Sequence, residues 1–279
     1  MHGDLRAANV VPDVTTTLDP HAYLDRIRCT DQLNLETLEQ SLPLLRALHE
    51  AHLLAVPFEN LSIHYGEPIM LDDEALYDKI VRRRRGGFCY ELNGLFAWLL
   101  RQLGFTVTLL SARVAQADGG FTPEFDHMAL LVRHQVGADW LADVGFGDAF
   151  RQPLRMQPAV EQDGADGHRY RLLYVDATDA GDGFWLMQRS GETGWGSQYR
   201  FTLQPHVMAD FADRCHFQQT SPDSHFTQRR MCSLALPNGR ITLSDRHLIT
   251  TLHGARRERD LASEDEYRDV LATRFGVTI

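Results

Sequence analysis

Apolar positions along this chain fall into two textures. As far as Gly104 they recur at intervals of three and four, the repeat of helices with one buried face. Leu18 to Ile27 carries Tyr23, Leu24 and Ile27 on one side. Ser41-Leu42-Pro43 reads as an N-cap with proline in the first turn, opening a helix to about His52. Asp72 can cap a third helix that presents Leu76, Ile80 and Val81. The clearest pattern follows Gly86-Gly87, where Leu92, Leu95, Phe96, Leu99, Leu100 and Leu103 keep helical spacing and Gly104 stands at the C-terminal stop. Cys89 lies one turn before Leu92, so the spacing puts a thiol in the first turn, at the head of the buried stripe.

From Phe105 the runs shorten to strand length. They cover Thr106 to Leu110, Met128 to Val132, Trp140 to Val144, Tyr170 to Tyr174 and Phe184 to Met187. Loops rich in Gly and Asp, at Asp118 to Pro123 and Asp163 to His168, separate some of them. After Pro205 a helical link over Met208 to Phe217 leads to a strand pair around Asn238-Gly239, a strong hairpin-turn dipeptide. A helix over Glu264 to Phe275 follows. The predicted class is α+β, with no internal repeat and no low-complexity segment.

Composition narrows the functional classes. The 279 residues are 43% hydrophobic and 24% charged, an ordinary globular balance. A net charge of −10 and a pI near 5.7 argue against nucleic-acid or anionic-membrane partners. No apolar run approaches the about 18 residues that cross a bilayer. Met1 to Thr17 lacks a signal pattern and reads as a short mobile leader, so a cytoplasmic protein is expected. The four cysteines, Cys29, Cys89, Cys215 and Cys232, have neither CxxC nor metal-ligand spacing, which predicts reduced thiols and no metal.

One of these thiols stands out by context. In Arg85-Gly86-Gly87-Phe88-Cys89-Tyr90-Glu91-Leu92-Asn93 the glycines allow a sharp turn and a close backbone approach. A cysteine in the next helical turn meets unpaired N–H groups and the positive dipole end, both of which favour thiolate. The bland alternative is a small hydrophobe on a core face. The run Arg82 to Arg85 adds positive charge just upstream; it reads either as a solvated helix end or as a lure for an anionic cofactor.

A thiolate nucleophile needs a base, and the base an orienting group. His127 opens the strand Met128 to Val132, and Asp143 closes Trp140-Leu141-Ala142. The two runs form a plausible antiparallel hairpin, and a turn centred on Gln135 would set positions 127 and 143 directly opposite. A carboxylate in so apolar a frame is costly unless paired, and a histidine would pair it. Asp139 and Asp148 flank the segment in loop contexts and are weaker candidates.

RGGFCYELN, the DHMAL segment around His127 and the ADVGFG segment around Asp143 resemble the three signature segments of arylamine N-acetyltransferases. Leu24-Asp-Arg-Ile, AHLLAVPFEN from Ala51 to Asn60, and Ser221 to Phe226 resemble further family elements, so the likeness spans roughly residues 19 to 279. The resemblance implies an N-terminal helical bundle (1–104) carrying the nucleophile, a β-barrel (105–207) carrying His and Asp, a helical link (208–225) and an α/β lid (226–279). It implies Cys89 as nucleophile, His127 as base and Asp143 as orienter, in a Cys–His–Asp core like that of other thiol enzymes. Phe58, Val114 and Phe146 become the apolar lining for the acceptor, and Gly145 and Gly147 the glycines beside which coenzyme A enters. The implied reaction is ping-pong transfer from acetyl-CoA to an arylamine, hydrazine or N-hydroxyarylamine, a xenobiotic-processing activity of a monomer or homodimer that needs no metal. Asp126, just before His127, departs from the small polar residue common in the family and could disfavour a phosphate-bearing chain.

Other readings share this chemistry. A macrolactam-forming amide synthase of the same fold would use the same acyl-cysteine. A transglutaminase-like or papain-like enzyme has the same Cys, His, Asp order, but VPFEN and the lid segment argue against it. A binding module that has lost catalysis would not need an intact triad.

Overall fold

In the computed structural model of the chain, residues 18–30, 40–133, 137–148, 150–177 and 182–279 are described. The leader read at Met1 to Thr17 and the turn centre at Gln135 lie outside them.

The helical layer begins where short polar side chains satisfy the first free amides. Asp19 accepts from His21 N–H to open α1 (Pro20–Arg26), and Ser41 Oγ accepts from Leu44 N–H at the head of α2 (Leu42–Ala55). β1 (Phe58–Glu59) and α3 (Leu61–His64) follow. Asp72 caps α4 (Asp73–Tyr77) through Ala75 N–H, 2.9 Å away. The helix expected to run on over Ile80 and Val81 instead widens into a π-helical turn, Asp78–Arg82. At the centre lies α5 (Cys89–Gln102). Its pattern predicts one buried face, yet every residue from Cys89 to Leu100 is buried, because α1, α4 and two barrel strands pack around it. Gly104 ends it with φ of 86°, a left-handed value that suits glycine.

The strand-rich region forms β2 (Thr106–Val114), β3 (His127–Arg133), β4 (Trp140–Ala142), β5 (Leu154–Arg155), β6 (Glu161–Asp163), β7 (Arg169–Val175), β8 (Phe184–Gly191) and β9 (Gly194–Phe201). They make one antiparallel eight-stranded sheet in the order β5-β4-β3-β2-β9-β8-β7-β6. The end strands nearly close it into a barrel. Gln162 reaches across from β6, accepting from Arg155 N–H at 2.7 Å and donating to Arg155 O at 3.1 Å. Period-two alternation sorts the side chains of β3: Ala129 and Leu131 fill the barrel, while Met128, Leu130 and Val132 pack with the helical layer. β3 thus joins two cores.

A 3₁₀ turn (Met208–Phe211), α6 (Ala212–Thr220) and α7 (His225–Gln228) make the link; its helix runs three residues beyond the predicted end at Phe217. β10 (Met231–Leu236), β11 (Gly239–Ser244), β12 (His247–Leu252) and β13 (Ala255–Asp260) form an antiparallel sheet beside α8 (Glu264–Val270) and a final π-helical turn, Leu271–Phe275. Leu236 pairs with Gly239, so the predicted hairpin turns one residue early, on Pro237-Asn238. β1 leaves the helical layer to become this sheet's edge, with Phe58 opposite Ser233 and Glu59 opposite Cys232. The architecture is therefore α+β: helical bundle, barrel and α/β lid. Among the described residues no helix is long and apolar enough to cross a membrane.

Two histidines of α2 are buried without charge. Burial pushes His49 down to about 4 and His52 well below its ordinary value. Their unfolded forms protonate near 6.5, so between that value and 4 the unfolded chain binds more protons, and stability falls as pH falls. Urea unfolding should show stability dropping by about 2 kcal/mol between pH 7 and pH 5 from His49 alone. A flat profile over that window would mean that His49 is not buried neutral.

Candidate active site

The turn before α5 is built around contacts that only glycine permits. A Cβ on Gly86 would lie 2.0 Å from Pro57 O, and one on Gly87 would lie 2.7 Å from Glu91 Cβ. The bare backbone lets Glu59 N–H donate to Gly87 O at 2.8 Å, tying the Phe58 strand to the nucleophile's turn. Glu91 accepts from Phe88 N–H at 3.1 Å, capping α5 from its third residue, and is neutralised by Lys79 at 2.6 Å. Cys89 follows as the first helical residue, 4% exposed.

Three of the four arginines upstream are engaged by acids: Arg82 pairs with Glu74, Arg83 with Glu67, and Arg85 is buried against Glu59 at 2.9 Å. The expected thiolate-favouring field is also outweighed: burial pushes the Cys89 thiol well above its ordinary value, a hydrogen bond from the Met128 backbone pulls it back, and Asp126, Asp143 and Cys215 raise it further. A proton leaving this sulfur needs an acceptor close by.

His127 and Asp143 supply an acid–base pair. His127 Nε2 lies 2.7 Å from Asp143 Oδ2, with side-chain exposures of 3% and 0%. The pairing differs from the predicted one. β3 and β4 align Leu130 with Ala142 and Val132 with Trp140, so position 143 falls opposite 129, and β4 stops at Ala142. The slip is two positions along β3, which keeps both side chains on one face as diagonal neighbours within reach.

Asn93, one helical turn after Cys89, fastens that carboxylate to α5. Its Nδ2 donates to Met128 O at 2.7 Å and to Asp143 Oδ1 at 2.9 Å, while its Oδ1 accepts from Val144 N–H at 2.9 Å. Gly145 N–H donates to Asp143 Oδ1 at 3.0 Å, and Asp143 N–H donates to His49 Nε2 at 3.1 Å. Burial alone would raise the Asp143 carboxyl; the His127 ring, Asn93 and Gly145 reverse this and hold it below the usual carboxylate range. Sequence reasoning missed Asn93, although a polar side chain one turn after the thiol on a buried helix was the available signal.

A cavity of about 490 Å³ opens on this group. Cys89 and His127 line it, with Phe58, Val114, Phe146 and Gly145 of the expected set. Gly147 is not among its lining residues. The link adds Gln218, and with it His225 and Phe226 from the segment around Ser221 to Phe226, to which no site role had been given; Phe226 packs edge-on to Phe88 at 5.5 Å and against Phe58 at 6.1 Å. Phe146 and Tyr199 flank the His127 ring at 5.0 and 5.2 Å. Asp126 also lines the cavity, but it is spoken for: Arg214 Nε donates to its Oδ1 at 2.7 Å and Gln218 Nε2 at 2.6 Å. Its charge is neutralised by α6, which removes the expected repulsion of a phosphate chain. Asn60 holds the lid segment here, donating to Phe226 O and Arg229 O at 2.9 Å.

All four cysteines are free, and no His/Cys/Asp/Glu group among the described residues could hold a metal. A buried thiol and an imidazole on one cavity, the imidazole backed by a charge-stabilised carboxylate, are the equipment of acyl-thioester chemistry.

Comparison with known proteins agrees. A family model described as N-acetyltransferase matches residues 41–279. An arylamine N-acetyltransferase / N-hydroxyarylamine O-acetyltransferase of Salmonella typhimurium is 38% identical over 234 residues, covering 81% of this chain and 77% of the relative. Proansamycin X synthase of Amycolatopsis mediterranei is 32% identical over 263 residues, covering 91% of this chain and 95% of the relative. The solved structure of Mycobacterium marinum arylamine N-acetyltransferase in complex with CoA matches with a TM-score of 0.81 and 33% identity, covering 93% of each chain. The chain belongs to the N-acetyltransferase family and is an acyltransferase.

The two glycines of the GFG segment should respond differently to alanine. A Cβ on Gly145 would sit 2.7 Å from Cys89 Cα and 2.9 Å from Cys89 O, backbone atoms that cannot yield. Gly147 has nothing within 4 Å, only a φ of 70°. Gly145→Ala should displace the head of α5 and slow iodoacetamide labelling of Cys89. Gly147→Ala should cost only about 1 kcal/mol and leave labelling intact. Equal labelling rates in the two variants would show that the close approach at Gly145 does not matter.

Proposed function

We propose that the protein transfers an acetyl group from acetyl-CoA to arylamines, and to hydrazines and N-hydroxyarylamines, through a thioester on Cys89. The observation that carries this reading is that His127, backed by the buried Asp143, lines the same cavity as Cys89 at the start of α5. With Nε2 committed to Asp143, His127 offers Nδ1 to the thiol. The Cys89 proton moves to that nitrogen, and the sulfur attacks the carbonyl carbon of acetyl-CoA. The oxyanion is received by the Cys89 N–H at the start of α5, a donor of a kind worth about 3–4 kcal/mol. The carbonyl reforms, the bond to the CoA sulfur breaks, and CoA leaves with the proton from His127. In the second half the amine attacks the acetyl-cysteine, its proton passes to His127, and the sulfur leaves as thiolate. Asp143 orients the ring and stabilises its charged form.

Phe58, Val114 and Phe146 are assigned to the acceptor's aromatic ring, and Gly145 and Gly147 to the entry of the CoA chain. In this reading 1–104 brings the nucleophile, 105–207 the base and its orienter, and 208–225 and 226–279 cover the cavity. The free thiols suit a cytoplasmic enzyme. Likeness to Proansamycin X synthase along 95% of its length favours a second reading, an amide synthase acting on its own acyl chain.

Incubation with acetyl-CoA followed by intact-mass measurement should give one acetyl adduct, located on the Cys89 peptide and discharged by an arylamine with release of CoA thiol. Absence of both adduct and CoA release would favour the amide synthase. Cys89→Ser should fold normally and form no adduct. Asp143→Asn should lower kcat by about four orders of magnitude, through loss of ring orientation and imidazolium stabilisation. Wild-type turnover in the Asp143 variant would remove it from the mechanism.

A further inference from the structure

Asp143 is held at its carboxylate by three donors, but its main chain is held from another quarter. β4 ends at Ala142, so the next amide has no ladder partner on β3. It donates instead to His49 Nε2 at 3.1 Å, on a helix remote in sequence. The other nitrogen, His49 Nδ1, stands 2.9 Å from Arg151 O. A backbone amide can only donate and a carbonyl can only accept, so both bonds form in one state alone: Nδ1 protonated, Nε2 bare, the ring neutral. A second proton would set two N–H groups against each other.

The surroundings enforce that state. His49 has no solvent exposure, stacks on Phe150 at 5.7 Å with planes 10° apart, and meets Phe96 edge-on at 6.1 Å. The titratable groups around it are His52 on its own helix and the Asp143 carboxylate. Arg151 presents only its carbonyl here, because its guanidinium turns away and donates to Pro237 O and Gly239 O at 2.7 Å each. One imidazole therefore joins the helical layer, the Asp143 turn and the residue that grips the lid's first hairpin.

We propose that His49 is a positioning residue of the triad, a neutral imidazole that sets the Asp143 main chain through Nε2 and anchors it to Arg151 through Nδ1. It touches no reacting atom; it acts by fixing where the carboxylate meets His127. The inference rests on the triad roles proposed above.

Three variants separate the two bonds. In His49→Gln the side-chain oxygen takes the place of Nε2 and can accept from Asp143 N–H. In His49→Asn the amide nitrogen takes the place of Nδ1 and keeps only the Arg151 bond, and His49→Phe keeps neither. The Asn and Phe variants should lose about tenfold or more in kcat with KM for acetyl-CoA unchanged, while Gln stays within about threefold of wild type. The pH limb of Cys89 alkylation by iodoacetamide should move upward in Asn and Phe but not in Gln, because a misplaced carboxylate stabilises the His127 cation less. A packing role would lower thermal stability without ordering the variants this way. Unchanged kcat and an unchanged limb in the Asn variant would overturn the proposal.

If the variants fold poorly, the wild-type protein still decides the matter. Its long-range ¹H–¹⁵N spectrum should show His49 as the Nδ1–H tautomer, invariant from pH 8 to about pH 5.5. An Nε2–H tautomer, or titration at the ordinary histidine value, would overturn the proposal. Alkylation needs neither acetyl-CoA nor an amine, so loss of acetyl transfer activity with an intact ordering of the limbs would sink the functional reading and leave this one standing.

Discussion

A carboxylate buried away from the protein surface is the constraint on which this structure turns. Asp143 is fully buried, and its charge survives only because donors converge on it from three separate parts of the chain: His127 on the barrel, Asn93 on the nucleophile's helix and Gly145 in its own turn. An unpaired ionised carboxyl there would cost several kcal/mol, so the barrel, α5 and the turn must be in register before the charge is tolerable. The same requirement places the imidazole, and the Asn93 bond ties the carboxylate to the helix that carries Cys89. Site geometry and folding specificity are here one set of hydrogen bonds.

The three layers are tied to each other by residues that lie near the cavity without facing each other in sequence. Glu59 and Arg85 form a buried pair below Phe58, and Glu59 also accepts from Leu61 N–H at 2.6 Å. Asn60 reaches the lid, and Asp126 holds α6 through Arg214 and Gln218. Gln218 in turn accepts from Ser224 Oγ at 2.6 Å, just where α7 brings His225 and Phe226 to the cavity wall. The lid is therefore a wall of the site rather than a cover laid over it. That is consistent with β1 pairing across to β10, which makes the segment before the nucleophile part of the lid's own sheet.

The environment of Cys89 revises a simple expectation. A helix start and nearby arginines favour thiolate in general. In this fold Arg82, Arg83 and Arg85 are paired with Glu74, Glu67 and Glu59, while burial and two acids oppose the charge. The field around the thiol therefore favours its protonated form, and its ionisation would need an acceptor such as His127, which lines the same cavity. A thiol that stays protonated is protected from indiscriminate reaction with electrophiles.

Local patterns in the chain determined the element types, the helix with a cysteine in its first turn, the strand that His127 opens and the strand that ends just before Asp143, because caps, glycines and hydrophobic periods act over a few residues. The family resemblance added the arrangement of bundle, barrel and lid. What periodicity could not reach were facts decided between elements. The β3–β4 register, which the pattern left open, puts position 143 opposite 129 rather than 127, and β4 ends before Asp143, whose amide turns to His49. Helix α5 proved buried all round, because a hydrophobic stripe reports one neighbour and the fold supplies several. Asn93, Gln218, His225 and Phe226 joined the site through contacts spanning dozens of residues, and three of the four upstream arginines are paired with acids. The thiol at the head of α5 was legible from the sequence; whether it could ever be ionised was settled only by which charges the tertiary structure buried beside it.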